Sequence, residues 1–204
     1  MRPEPRPVPA DWTPRIRAVK FVVAGGFGAG KTTFVGALSE IPPLRTEAAM
    51  TSVAAHVDDR RGSAAKTTTT VAMDFGRLTV DDYLVMYLFG TPGQERFGFM
   101  WDDICTHALG AVVLVDTERL DQSFPAVDYF EAKDIPFVVA LNRFEGTPRY
   151  DLGEVRDALG VSPHVPMTEC DARHTDSAKE VMLLLLDELV NAARARASGA
   201  ALGS

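Results

Sequence analysis

Gly25-Gly26-Phe27-Gly28-Ala29-Gly30-Lys31-Thr32 fits G-x-x-x-x-G-K-[ST], the spacing of a loop that wraps a phosphate chain. Glycines let successive backbone N–H groups turn inward on an anion. The Lys31 ammonium is then placed to reach β- and γ-phosphates, and the Thr32 hydroxyl to ligate Mg²⁺. The candidate phosphate-binding residues are Gly25, Gly26, Phe27, Gly28, Ala29, Gly30, Lys31, Thr32 and Thr33. The bland alternative is a glycine-rich turn carrying a surface lysine.

Such a loop needs a strand before it and a helix after it. Val19 to Ala24 is an apolar run of strand length, and Lys31 to Ser39 reads as a helix, ended by Ile41-Pro42-Pro43. A helix starting at Lys31 adds orphan N–H groups and the positive end of its dipole. Residues 44–66 read as a long irregular polar loop, a length that tends to be functional. A strand is expected from about Val71 to Val80 and another from Tyr83 to Phe89, joined by a turn at Asp81-Asp82 as an antiparallel hairpin. A helix is expected around Trp101 to His107. Gly110–Asp116 and Pro136–Asn142 are continuous apolar runs, as in parallel strands covered on both faces. Helices are expected over Phe124–Lys133, Leu152–Leu159 and about Thr175–Ala195, with a last strand at Val165–Glu169. The final helix carries Met182, Leu185, Leu186, Leu189 and Ala193 on one face at helical spacing. This order predicts an α/β fold of the P-loop NTPase kind. Its sheet is doubly wound, six-stranded and mostly parallel, with one antiparallel strand, helices on both faces and ligand at the carboxyl ends of the strands.

The 204 residues suit one domain, expected over 18–196, between a proline-rich flexible lead-in (1–17) and a small-residue tail (197–204). The net charge of −7 argues against non-specific binding to nucleic acid or to a membrane surface. Cys105 and Cys170 show neither a disulfide framework nor a metal-ligand spacing and read as free thiols of a cytoplasmic protein. His56, His107, His164 and His174 show no metal spacing. No signal peptide, lipidation motif or membrane-spanning run is evident.

Further loops fall at strand ends. In order, the phosphate loop, Thr70, Gly93-Gln94-Glu95, Asn142-Arg143-Phe144-Glu145 and Glu169-Cys170-Asp171-Ala172-Arg173 resemble the Ras-like small GTPases, over residues 19 to about 195. Within them, Thr67 to Gly76 and Gly90-Thr91-Pro92-Gly93-Gln94-Glu95-Arg96-Phe97 look most like the small GTPases of actinobacterial conservons, relatives of the MglA polarity GTPases. The resemblance implies a GTP/GDP switch that uses Mg²⁺. Thr70, with Thr69 as the alternative register, would ligate the metal together with Thr32 and contact the γ-phosphate. The Gly93 N–H would meet the γ-phosphate, and Gln94 would orient the attacking water. Asn142, Arg143 and Glu145 resemble the guanine motif N-K-x-D, and Asp171-Ala172-Arg173 the loop that reads guanine O6. A carboxylate that accepts from guanine N1–H and its 2-amino group rejects adenine. The resemblance also implies two partners, a Roadblock-type protein and a sensor-kinase-like protein, and no integral membrane segment.

Two departures carry expectations. Gly90 stands where the family has the aspartate that holds Mg²⁺ through water, which implies weak metal affinity. Phe27 stands where many members have glycine, beside the γ-phosphate. A benzyl group there implies slow turnover, no faster than the roughly 3–5 × 10⁻⁴ s⁻¹ typical of Ras. Arg60 and Arg61, in the long loop, are candidates for an arginine finger in cis, against the commoner reading of solvated arginines. Two other functions share these residues: a pseudo-GTPase that binds nucleotide with negligible turnover, and an ATP-using phosphotransferase.

Overall fold

The computed structural model describes residues 16–42, 44–52, 67–93 and 95–202. Strand β1 (Arg17–Gly25) runs into the glycine loop and helix α1 (Lys31–Leu38). Strands β2 (Leu44–Ser52), β3 (Thr67–Asp81) and β4 (Leu84–Gly90) follow, then a 3₁₀ helix (Glu95–Met100) continuing into α2 (Trp101–Cys105). β5 (Gly110–Val115) is followed by 3₁₀ turns (Thr117–Ser123) and α3 (Phe124–Ala132). β6 (Phe137–Asn142), α4 (Leu152–Leu159), β7 (Met167–Cys170) and α5 (Thr175–Leu202) complete the chain.

The strands form one sheet in the order β2-β3-β4-β1-β5-β6-β7. β1 is parallel to β4 and β5, and β6 to β5 and β7; β3 is antiparallel to both β2 and β4. β3 alone therefore runs against the rest, as the expected architecture has it. The sheet has seven strands rather than six because Leu44–Ser52, read as irregular, is an edge strand, with Leu44 opposite Phe75 and Ser52 opposite Thr67. An edge strand can be held by ladder hydrogen bonds along one side, so Arg45, Thr46, Glu47 and Thr51 show no apolar alternation to betray it. The same pairing starts β3 at Thr67 rather than Val71.

Side-chain alternation divides the core between the two faces of the sheet. Val22, Ala24, Ala111, Val113, Val115, Val139 and Leu141 face one layer with Trp101, Phe130 and Val155, from α2, α3 and α4. Phe21, Val23, Val112, Leu114, Val138 and Ala140 face the other with Phe34 and Val35 of α1 and Val181 and Leu185 of α5. Burial on both faces is what made β1, β5 and β6 continuous apolar runs. α4 begins on a reciprocal capping box of Asp151 and Glu154 and ends on Gly160 in the left-handed region. α5 buries Met182 and Leu185, while Leu183 is exposed. It runs beyond Ala195 to Leu202, and its first residue ties to α1 through Thr175 Oγ1, which donates to Ala37 O at 2.9 Å. Among the described residues, no helix is long and apolar enough to cross a membrane. Cys105 and Cys170 are buried free thiols, and burial pushes the Cys170 thiol up to about 11.

Candidate functional site

The carboxyl ends of β1, β4, β5, β6 and β7 converge on the glycine loop. Gly25, Gly28 and Gly30 have φ of 134°, 78° and 101°, which turns the backbone tightly between β1 and α1. Lys31 is 8% exposed, and its Nζ donates to Gly25 O at 2.9 Å and to Gly26 O at 2.6 Å. Burial lowers its pKa to about 8, opposed by the charge of Asp74. A cavity of about 330 Å³ opens here, lined by Phe27, Gly30, Lys31, Thr32, Asp74 and Gly93 among others. Gly93 is packed so closely that a Cβ on it would lie 2.7 Å from Lys31 Nζ and 2.8 Å from Phe27 Cα. The structure thus places Gly93 against the phosphate loop. The Phe27 ring is 62% exposed.

Asp74 is the residue that sequence reasoning missed. Thr32 Oγ1 donates to Asp74 Oδ2 at 2.5 Å. Asp74 lies opposite Gly90 in the β3–β4 ladder, and an ideal Cβ on Gly90 would lie 3.1 Å from the Asp74 Cβ. Gly90 lacks the family's acid, as the sequence has it, but a carboxylate stands beside the Thr32 hydroxyl, supplied by the neighbouring strand across the gap that glycine leaves. A hydroxyl paired with a carboxylate beside a buried ammonium is a fitting oxygen donor set for Mg²⁺, which keeps several waters and takes few protein ligands. Bound there, Mg²⁺ would be held by Thr32 and, through water, by Asp74.

Thr70 sits elsewhere. It pairs with Ala49 in the β2–β3 ladder, four residues along β3 from Asp74, roughly 13 Å at strand rise. Thr69 is opposite Met50. The structure does not bring either to Thr32. Gln94, Arg60, Arg61 and His56 lie outside the described residues.

At the other end of the site, Asn142 is 6% exposed and ties two loops together. Its Nδ2 donates to Ala29 O at 2.9 Å, and its Oδ1 accepts from Ala172 N at 3.0 Å. Arg143 turns away to β7, pairing with Glu169, with Nε to Oε2 at 3.0 Å. Arg173 Nε and Nη2 donate to Asp171 at 2.9 and 2.7 Å, and these bonds hold the Asp171 carboxyl down to about 2. The Arg173 guanidinium is kept charged by Asp171 first and also by the negative charge of Glu145. Glu145 is exposed at this rim. The structure therefore ties Asn142 and Ala172 to the phosphate loop and brings Arg173 and Glu145 within electrostatic reach of each other, with Arg143 committed to β7.

The uncharacterized protein MJ1339 of Methanocaldococcus jannaschii is 29% identical over 127 residues, covering 61% of this chain and 70% of that protein. Translation initiation factor IF-2 of Rickettsia typhi is 25% identical over 171 residues, 72% of this chain, which spans only 20% of that factor. The IF-2 of Rickettsia felis matches at 25% over 173 residues, 21% of its length. A sequence model of the family described as "conserved hypothetical ATP binding protein" matches residues 23–192, from the end of β1 to within α5. On that match and the phosphate loop it contains, this chain belongs to the conserved hypothetical ATP binding protein family, a family of nucleotide-binding P-loop proteins.

Proposed function

We propose that this chain is a GTP-binding molecular switch that uses Mg²⁺ and hydrolyses GTP slowly to GDP. The observation that carries the reading is Asn142. One buried amide holds the phosphate loop at Ala29 and the Ala172 loop at the opposite rim, so one ligand spanning the two rims is bound by parts already fixed to each other. The Ala172 loop and Glu145 then form the edge against which a purine would be read. A carboxylate at Glu145 favours a base with donors at N1 and C2, which is guanine. Lys31 and the loop amides take the phosphates, and Thr32 with Asp74 the metal.

Hydrolysis in such a site depends on positioning. Thr70 reaches a γ-phosphate only if the β2–β3 ladder lets go at Ala49 and Met50. GTP would then be registered as a rearrangement of this edge hairpin, with Gly93 following the γ-phosphate. The partners implied by the resemblance, a Roadblock-type protein and a sensor-kinase-like protein, would read that edge.

A second reading, ATP as the ligand, is favoured by the family's description. Heat denaturation of the purified protein, extraction of retained nucleotide and comparison with GDP, GTP, ADP and ATP standards separates the two. Guanine nucleotide supports the switch; adenine nucleotide overturns the guanine assignment. Retention that survives Lys31→Ala overturns the phosphate loop as the site.

A further inference from the structure

The turns after β5 pack against the phosphate loop at Gly26 and Gly28. An ideal Cβ on Gly26 would lie 2.6 Å from Gln122 Cβ, and one on Gly28 would lie 2.9 Å from Arg119 Nη2 and 3.2 Å from Nη1. The Arg119 guanidinium therefore lies directly against the phosphate-loop backbone. It is not a wandering surface group. Its Nε and Nη2 donate to Asp116 Oδ2 at 3.0 and 2.7 Å, and its backbone N–H donates to Asp116 O at 3.1 Å. Asp116 is 5% exposed at the tip of β5, and its Oδ1 is taken by the Glu118 N–H at 3.0 Å. The backbone at Arg119, φ −135° and ψ 52°, breaks the 3₁₀ turn to reach this position.

The carboxylate binds one edge of the guanidinium, while Nη1 makes no hydrogen bond among the described residues and the side chain stays 42% exposed. The pair is thus a fixed dipole. Its negative end is buried at the strand tip, and its positive end lies on a loop whose amides are arranged for an anion. We propose that Arg119 is a phosphate-binding arginine supplied in cis, contributing its charge to the polyphosphate of the bound nucleotide across Gly28. The assignment rests on the nucleotide-binding reading above. A planar guanidinium with a free donor edge is the side chain suited to phosphate oxygens, and a charged hydrogen bond in a partly enclosed site is among the stronger ones. Arg119 thus supplies the loop with a second cation in addition to Lys31.

The test is equilibrium binding of fluorescent mono-, di- and triphosphates of the retained purine to wild type, Arg119→Ala, Arg119→Lys and Lys31→Ala, with thermal melts of each nucleotide-free protein. Arg119→Ala is expected to weaken di- and triphosphate binding about tenfold or more and monophosphate binding less, with the difference shrinking as salt rises. Arg119→Lys recovers part of the loss; because Arg119→Ala also strips both donors from the buried Asp116 Oδ2, its nucleotide-free melting temperature is expected to fall by a few degrees, and the proposal is read from the ranking of the three ligands. Unchanged affinity in Arg119→Ala overturns the proposal. So does an equal loss for all three ligands, whatever the melting temperature, which is the signature of a brace. Wild-type protein that binds none of the nucleotides overturns the underlying reading instead, and Lys31→Ala marks that baseline.

Discussion

Asp74 on β3 meets Thr32 on α1 at 2.5 Å, from a position directly opposite Gly90 on β4. The acid and the glycine are one feature: a side chain on Gly90 would press on the Asp74 Cβ. If Asp74 anchors metal-bound water, Asp74→Ala should raise the Mg²⁺ concentration needed for half-maximal nucleotide retention by about 10- to 100-fold, the usual cost of losing an outer-shell partner. Asp74→Gly combined with Gly90→Asp, which removes the Cβ that Gly90 faces, should recover part of it by moving the carboxylate back onto β4. Magnesium titrations of nucleotide dissociation read both; an unchanged requirement in Asp74→Ala removes Asp74 from the metal site.

Why this acid was not legible in the sequence is a matter of register. The β3–β4 hairpin pairs Asp81 with Leu84, but a bulge between Thr79 and Asp81 shifts every later pair by one. Without that extra residue Phe75, not Asp74, would stand opposite Gly90, and the side chains of β3 would exchange faces. β2 escaped for a related reason, since an exposed edge needs no apolar pattern. By contrast β1, β5 and β6 were readable because burial on both faces leaves nothing but apolar residues. α4 was readable because Asp151, Glu154 and Gly160 are local stop and start signals. Asn142 could be found by its motif, but its role as a tie between two loops is visible only in three dimensions. Arg119 has no motif at all; its placement depends on one irregular backbone conformation.

The buried Lys31 ammonium should make nucleotide affinity depend on pH. Its folded pKa, lowered to about 8, lies below its ordinary value of 10.5. Between these values the unfolded chain binds more protons than the folded one. This group's contribution to the stability of the nucleotide-free protein therefore rises with pH from about 8 to 10.5. Phosphate binding needs the charged form, so affinity should fall as pH rises from 7 to 9, approaching tenfold per unit above 8 if Lys31 is the only group titrating. Calorimetry in buffers of different ionisation enthalpy should show proton uptake on binding near pH 8. Affinity that is flat from pH 7 to 9 would show that the lysine stays charged.

Asn142 should matter for folding as well as binding. Asn142→Ala leaves Ala29 O and Ala172 N–H without their partner in a buried setting, at about 1–3 kcal/mol for each group. Melting of the nucleotide-free protein should drop by at least roughly 4 °C, and by as much as about 20 °C, for a chain of this size. Asn142→Asp keeps the acceptor for Ala172 N–H but faces Ala29 O with a second oxygen, so it should be at least as damaging. A melt of either variant that matches wild type would mean that the two rims are held by something other than this amide.

If the proposed reading holds, Glu145 should separate the purines. Its carboxylate shares the rim with Arg173, which is already bound to Asp171, so Arg173 is not free to become the principal partner of Glu145. That leaves the Glu145 oxygens available to accept from a base. A hydrogen bond to a charged acceptor is worth about 1.5–3 kcal/mol, so Glu145→Ala should cut the preference for GTP over ATP by roughly 10- to 100-fold. Most of the change should be weaker GTP binding rather than stronger ATP binding. Glu145→Gln keeps the shape, loses the charge and places an amide donor against N1–H or the 2-amino group, so it should be nearly as costly. Competition of GTP and ATP against a fluorescent nucleotide gives both ratios. If Glu145→Ala leaves the ratio unchanged, the base is read by the Ala172 loop alone, and the longer acid at this position is a surface group.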